Sequence, residues 1–94
     1  MAAAASTHCE LCGAVRLLTF HHLIPRKLHR RPFYRRNHDR AALQAGVHLC
    51  RHCHRAVHRF FDEATLAKSY ATLAALRAAP ELQRHAAWAR KQKR

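Results

Sequence analysis

Apolar positions follow two different rhythms along this chain. Between Ala14 and Phe20 the residues Val15, Leu17, Leu18, Thr19 and Phe20 form a β-branched and aromatic mixture that predicts a short strand. The segment runs into His21-His22-Leu23-Ile24-Pro25, where Pro25 lacks an amide hydrogen and biases Ile24 to an extended conformation, so the chain should leave the sheet there. Val47 to Leu49 predicts a second strand, pairing antiparallel with the first. After Cys53 the spacing turns helical. His54 and His58 stand at i and i+4 and share a face. Phe60, Phe61 and Leu66 continue the apolar spacing, and Asp62 with Glu63 marks the first turn of a segment ending near Tyr70. Thr72 then caps Leu73-Ala74-Ala75-Leu76, and Pro80 opens a last helix with Leu82 and Trp88 on its inner face. Upstream, Asp39 is the expected N-cap of a short helix through Gln44, which Gly46 ends.

Cysteine changes the picture more than any other residue type. The four cysteines form two Cys-x-x-Cys pairs, Cys9/Cys12 and Cys50/Cys53, separated by the stretch from Gly13 to Leu49. Each such turn brings two thiolates toward one tetrahedral ion, so the four are expected to close a structural zinc site with no open position. Gly13 follows the first knuckle where a positive φ is often needed. A chain of 94 residues has room for one domain and a modest core, and a metal staple helps it considerably. Disulfides would require an oxidising compartment, and the opening Met1-Ala2-Ala3-Ala4-Ala5-Ser6 has neither a basic nor a full apolar signal region. The expectation is a cytoplasmic protein with a disordered leader over residues 1–7 and no membrane span.

Charge points to a partner. Eighteen Lys and Arg against five Asp and Glu leave +13 at pH 7, which suits a polyanion. Between residues 26 and 40 the basic residues Arg26, Lys27, Arg30, Arg31, Arg35, Arg36 and Arg40 face one acid, Asp39, with Phe33 and Tyr34 between them. This stretch reads as a basic loop between the strands whose arginines contact phosphate and whose Phe33 caps the core. The terminal Arg90-Lys91-Gln92-Lys93-Arg94 reads equally well as a phosphate clamp or a frayed end.

The paired strands and the helix bring the imidazoles of His21, His22, His54 and His58 within reach of one another. Three neutral imidazoles can hold a divalent cation with positions left for a phosphate oxygen and water, and a fourth can take a proton near neutral pH, a layout for phosphodiester hydrolysis. His8, His29, His38, His48, His52 and His85 show no such pattern and read as structural or surface residues. Cys50-Arg51-His52-Cys53-His54 also satisfies the Cys-x-x-Cys-His haem-attachment pattern, which would leave Cys9, Cys12 and His58 unexplained.

His21-His22-Leu23-Ile24-Pro25, Leu49 to His58 and the upstream Cys9/Cys12 pair together resemble the small, zinc-knuckled bacterial form of the HNH endonuclease family. The resemblance implies an α+β fold with a small ββα-metal core and a four-cysteine zinc knuckle over residues 8–61, followed by a helical C-terminal extension over 62–94, all in one nuclease domain. It implies that His21 and His54 ligate a catalytic divalent cation such as Mg²⁺ or Mn²⁺, that His58 is a further ligand, and that His22 is the general base. The implied activity is nicking or weakly specific cleavage of DNA, with Arg26, Lys27, Arg30, Arg31, Arg35 and Arg36 on the nucleic acid and no small-molecule cofactor. The family's middle asparagine, which braces the loop and orients the base, is replaced here by Ala45. Gln44 is the candidate substitute. Without that bracing either the activity is low or the same scaffold is a non-catalytic, zinc-stabilised nucleic-acid-binding protein.

Overall fold

A computed structural model describes residues 7–93. The fold is α+β. β1 (Leu18–His22) pairs antiparallel with β2 (Gly46–Cys50), in the register Leu18 to Cys50, Thr19 to Leu49, Phe20 to His48, His21 to Val47 and His22 to Gly46. The long connection between them holds a 3-10 turn over Arg26–Leu28, α1 (Pro32–Asn37) and α2 (Arg40–Gln44). Helix α3 (Arg51–Phe60) leaves β2 directly and is followed by α4 (Glu63–Ser69), α5 (Leu73–Ala78) and α6 (Pro80–Arg90).

Side-chain caps and prolines account for most helix starts. Asp39, Asp62 and Thr72 each accept a hydrogen bond from a backbone amide three residues on, those of Ala42, Thr65 and Ala75, at 2.8, 2.8 and 3.1 Å. Pro32 and Pro80 open α1 and α6, where the missing amide hydrogen costs nothing. Gly13 has φ +82°, as its place after the knuckle suggested. At Gly46 the requirement is steric instead: a Cβ there would stand less than 3.0 Å from the His21 carbonyl oxygen and from the Phe20 ring.

Several expectations need correction. The first strand begins at Leu18, not Ala14, because the preceding residues serve the knuckle: Val15 forms an isolated bridge with His8, and Arg16 turns inward to the cysteines. Alternation along this extended stretch throws Val15 and Leu17 outward, 70% and 91% exposed. The basic stretch is partly helical, since Pro32 sets φ for a first turn. Phe33 does not cap the core; it is exposed against Tyr34, while Ile24 and Leu28 are buried. Helix α3 starts at Arg51, so Cys53 lies in its first turn. Trp88 is half exposed, packed edge-on against His52, and the inner face of α6 is Leu82, Ala86 and Ala89. The leader expected over residues 1–7 lies, except for Thr7, outside the described residues.

One hydrophobic core runs through the described residues. It joins the four cysteines, Val47 and Leu49 of β2, Ala56 and Val57 of α3, Phe61, and Leu66, Leu76 and Leu82 of the later helices. The C-terminal helices therefore form the far wall of the core that holds β2 and α3. No helix among the described residues is long and apolar enough to cross a membrane.

Candidate functional site

The four cysteines meet where the N-terminal turn touches the start of α3. Cys9, Cys12, Cys50 and Cys53 are buried, no two are bridged, and their sulfurs lie within 4.8 Å of one another, an arrangement that can hold a metal ion. The Sγ atoms of Cys12 and Cys50 are 3.8 Å apart. Both receive the Arg16 guanidinium, at 3.8 and 3.6 Å. A hydrogen bond from the Cys53 thiol holds the Cys9 thiol down at about 4, against the pull of burial. The same bond to Cys9, reinforced by burial, pushes Cys53 up, and burial raises Cys12. The Cys9–Cys53 pair therefore favours thiolate at Cys9.

Three arginines fasten this knot to the last helices. The Arg16 guanidinium also donates to the carbonyl of Ala89 at 2.6 Å and to that of Gln92, at the end of α6. Arg90 donates from Nε to the Cys12 carbonyl at 2.9 Å, and Arg77 donates from Nε and Nη2 to the Glu10 carbonyl at 3.0 and 2.9 Å. The Glu10 carboxylate in turn accepts the His48 amide at 2.7 Å. Part of the basic excess is thus engaged in hydrogen bonds within the chain.

The second cluster forms between β1 and α3. Thr19 and His21 are two apart on the strand, so they share the face that meets α3. The His21 ring centre lies 5.3 Å from that of His54 and 5.1 Å from that of His58, and His54 and His58 are 5.1 Å apart. Ligand nitrogens of these three residues lie within 4.8 Å of one another. His21 is 1% exposed and its Nε2 has no hydrogen-bond partner, an orphaned buried polar atom of the kind that a bound cation satisfies. Burial, with smaller contributions from His58 and His54, holds His21 down at about 4, so it stays neutral and keeps a lone pair.

Thr19 decides the tautomer of His54. Its single hydroxyl hydrogen goes to the Leu49 carbonyl at 3.0 Å, so the 2.7 Å contact with His54 Nδ1 has the imidazole as donor. Nε2 is then the unprotonated nitrogen, an orientation common at metal-binding histidines. Burial, then His58, lowers the His54 pKa as well.

His22 lines the same cavity of about 210 Å³ as His21, His54 and His58, with Arg26 and Lys27 on its wall, but is not one of the three clustered imidazoles. Its ring lies 4.9 Å from Phe20 and 5.5 Å from His29. His29 is fixed in turn by a 2.7 Å bond from Nε2 to the Ile24 carbonyl. Burial, His29 and Arg26 lower the His22 pKa, and a hydrogen bond with the Gln44 side chain works the other way. Gln44 therefore touches the ring that the resemblance would have an asparagine orient. The neighbouring Ala45 braces the connection through its backbone, its carbonyl accepting the Leu23 amide at 3.1 Å.

The basic residues singled out in the sequence divide. Arg26 and Lys27 flank the histidine cavity, and Lys27 stands 3.8 Å from Glu63. Arg35 and Arg36 line a separate depression beside Pro32, and Arg30 and Arg31 are exposed without lining the histidine cavity. Sequence reasoning passed over Thr19 and the exposed Arg51, Arg55 and Arg59. Their signals were a polar residue two before His21 on a strand and a stripe at every fourth position of a helix.

No family model matches the chain, and no solved structure matches it. The chain is similar to the uncharacterized protein YisB of Bacillus subtilis (strain 168), with 34% identity over 85 residues that cover 89% of this chain and 74% of YisB. At that identity and coverage, the chain belongs to the same family as YisB.

Proposed function

We propose that the chain is a metal-dependent endonuclease of the HNH type that hydrolyses DNA phosphodiester bonds. In this reading Cys9, Cys12, Cys50 and Cys53 close a structural zinc site. The 3.8 Å separation of the Cys12 and Cys50 sulfurs suits one edge of a tetrahedron with metal–sulfur bonds of about 2.3 Å. The observation that carries the catalytic half is the orphaned, neutral His21 Nε2 facing His54 and His58 in a cavity that His22 also lines.

His21, His54 and His58 would hold a divalent cation such as Mg²⁺ or Mn²⁺, which supplies Lewis-acid stabilisation of the charge that develops on phosphate. His22, neutral because burial, His29 and Arg26 oppose its protonation, accepts a proton from the attacking water. Gln44 orients that ring. Arg26 and Lys27, on the wall of the same cavity, receive the phosphate oxygens. Thr19 keeps His54 in its ligating tautomer.

The test is cleavage of supercoiled plasmid by zinc-loaded protein with Mg²⁺ or Mn²⁺. Wild type yields nicked circles, whereas His22→Ala shifts DNA on a gel and leaves it intact. A wild type that shifts DNA yet leaves plasmid intact under both metals would overturn the catalytic reading. That outcome supports the second one, a zinc-stabilised nucleic-acid-binding protein, which the loss of the family's asparagine at Ala45 favours.

A further inference from the structure

Beside the histidine cavity lies a surface that the proposed chemistry leaves unused. Arg51, Arg55 and Arg59 recur at every fourth position of α3, all exposed and about 6 Å apart along the axis. A shallow furrow of about 570 Å³ follows them, walled by Thr19, His54 and His58. Through His54 and His58 it is continuous with the histidine cavity. Through Thr19 and Arg51 it adjoins a deeper cavity of about 470 Å³, lined also by Val15, Leu17, His52 and Lys93.

The lining chemistry of the deeper cavity is unusual for a highly charged surface. Val15 and Leu17 are 70% and 91% exposed because the inward turn of Arg16 between them fixes their alternation outward. Cations surround these two aliphatic side chains, and no Asp or Glu lines either cavity. A purely electrostatic phosphate track has no use for an apolar floor. Duplex DNA offers phosphates and sugars at its surface and keeps its base faces stacked. A single strand offers both phosphate and an apolar base face within one nucleotide. The cavity is also of a size that accepts a small-molecule-sized group.

We propose that this furrow seats an unpaired nucleic-acid strand, with successive phosphates on Arg59, Arg55 and Arg51 and one unstacked base over Leu17 and Val15 beside His52 and Lys93. The proposal rests on the nuclease reading for the class of partner and adds the form of the substrate. The strand on this side of the scissile bond is single, as at an overhang, a flap or a gap.

Fluorescence anisotropy of the zinc-loaded protein without Mg²⁺ or Mn²⁺ tests it, using a mixed-sequence single-stranded oligonucleotide and its blunt duplex. Wild type should prefer the single strand about tenfold. Leu17→Ala, at an exposed position that leaves the core intact, should weaken single-strand binding about fivefold and leave duplex binding within twofold. The triple change Arg51→Gln, Arg55→Gln, Arg59→Gln should weaken both and reduce the slope of log affinity against log salt by about two. Equal affinity for both forms, or a silent Leu17→Ala, overturns the unpaired-strand proposal while plasmid nicking can still stand. Single-strand preference with the expected Leu17 and arginine effects, but no cleavage of plasmid or of a duplex carrying a single-stranded flap with Mg²⁺ or Mn²⁺, supports the furrow and removes the catalytic reading. No binding to either form removes both.

Discussion

Replacing Gly46 with alanine tests how the strand pair positions the histidines. A Cβ at Gly46 meets the His21 carbonyl oxygen and the Phe20 ring, whose Cε2 would lie 2.7 Å away. The ring is 42% exposed and can swing aside, but the carbonyl belongs to β1 and moves only with the strand. Overpacking of this kind costs about 1–3 kcal/mol. The stiffer unfolded chain of alanine returns about 0.4–1 kcal/mol. The net loss of roughly 1–2 kcal/mol corresponds to a melting temperature lower by about 5–15 °C for a domain this small. Thermal unfolding followed by circular dichroism measures it. Adding Phe20→Ala to Gly46→Ala relieves the ring contact and leaves the carbonyl clash, so the double variant should melt below Phe20→Ala alone. A Gly46→Ala protein that melts at or above wild type refutes the steric argument. A Phe20→Ala background that abolishes the effect assigns it to the ring alone.

Two further outcomes follow from the surroundings of the clusters. Arg16→Ala removes a guanidinium shared by two sulfurs and two carbonyls at the end of α6. It should destabilise the zinc-loaded protein by about 1.5–3 kcal/mol and speed zinc release to a chromogenic chelator, and unchanged release would show that the contact does not hold the ion. Without added Mg²⁺ or Mn²⁺, stability should fall as pH drops from about 6.5 toward 4. The unfolded chain protonates His21 at its ordinary value while the fold holds it down at about 4, so the loss starts at the upper value and is complete at the lower. His21→Phe should flatten that part of the stability–pH curve, and an unaltered curve would assign the dependence to other groups.

How far the sequence could be read depended on whether a residue acts through its neighbours in the chain or through distant ones. The caps at Asp39, Asp62 and Thr72, the start of the last helix at Pro80, the glycine turn at Gly13 and the antiparallel pairing rest on local chemistry, and each appears as expected. The two clusters were legible because two Cys-x-x-Cys turns and an i, i+4 histidine pair are themselves local patterns. What escaped depended on contacts across the chain. Val15, Leu17, Phe33 and Trp88 look like core residues by type, yet Arg16 and Pro32 reset the backbone around the first three, and small alanines fill the face of α6 that Trp88 was expected to occupy. Nor does charge counting separate Arg16, Arg77 and Arg90, which bond to sulfurs and backbone carbonyls of the fold, from the arginines of α3 that line the furrow.

The junction of β2 and α3 explains why a chain this short carries two such clusters. Cys50 ends the strand, Cys53 lies in the first helical turn, and His54 and His58 follow on the same helix. An ion on the four sulfurs would fix the start of α3 against the N-terminal turn, and with it the direction in which His54 and His58 point. A helix of this length gains little stability from propensity alone, so its orientation has to come from such anchoring and from the Cys53, Ala56 and Val57 face packed into the core. Meanwhile Thr19 and His21 reach the His54–His58 face of α3 from the neighbouring strand, whose register is pinned by the close approach at Gly46. The imidazole triangle is therefore assembled from two elements with separate anchors. A disturbance at either anchor should appear first as altered geometry among His21, His54 and His58, before the core that surrounds Leu49, Leu66 and Leu82 gives way.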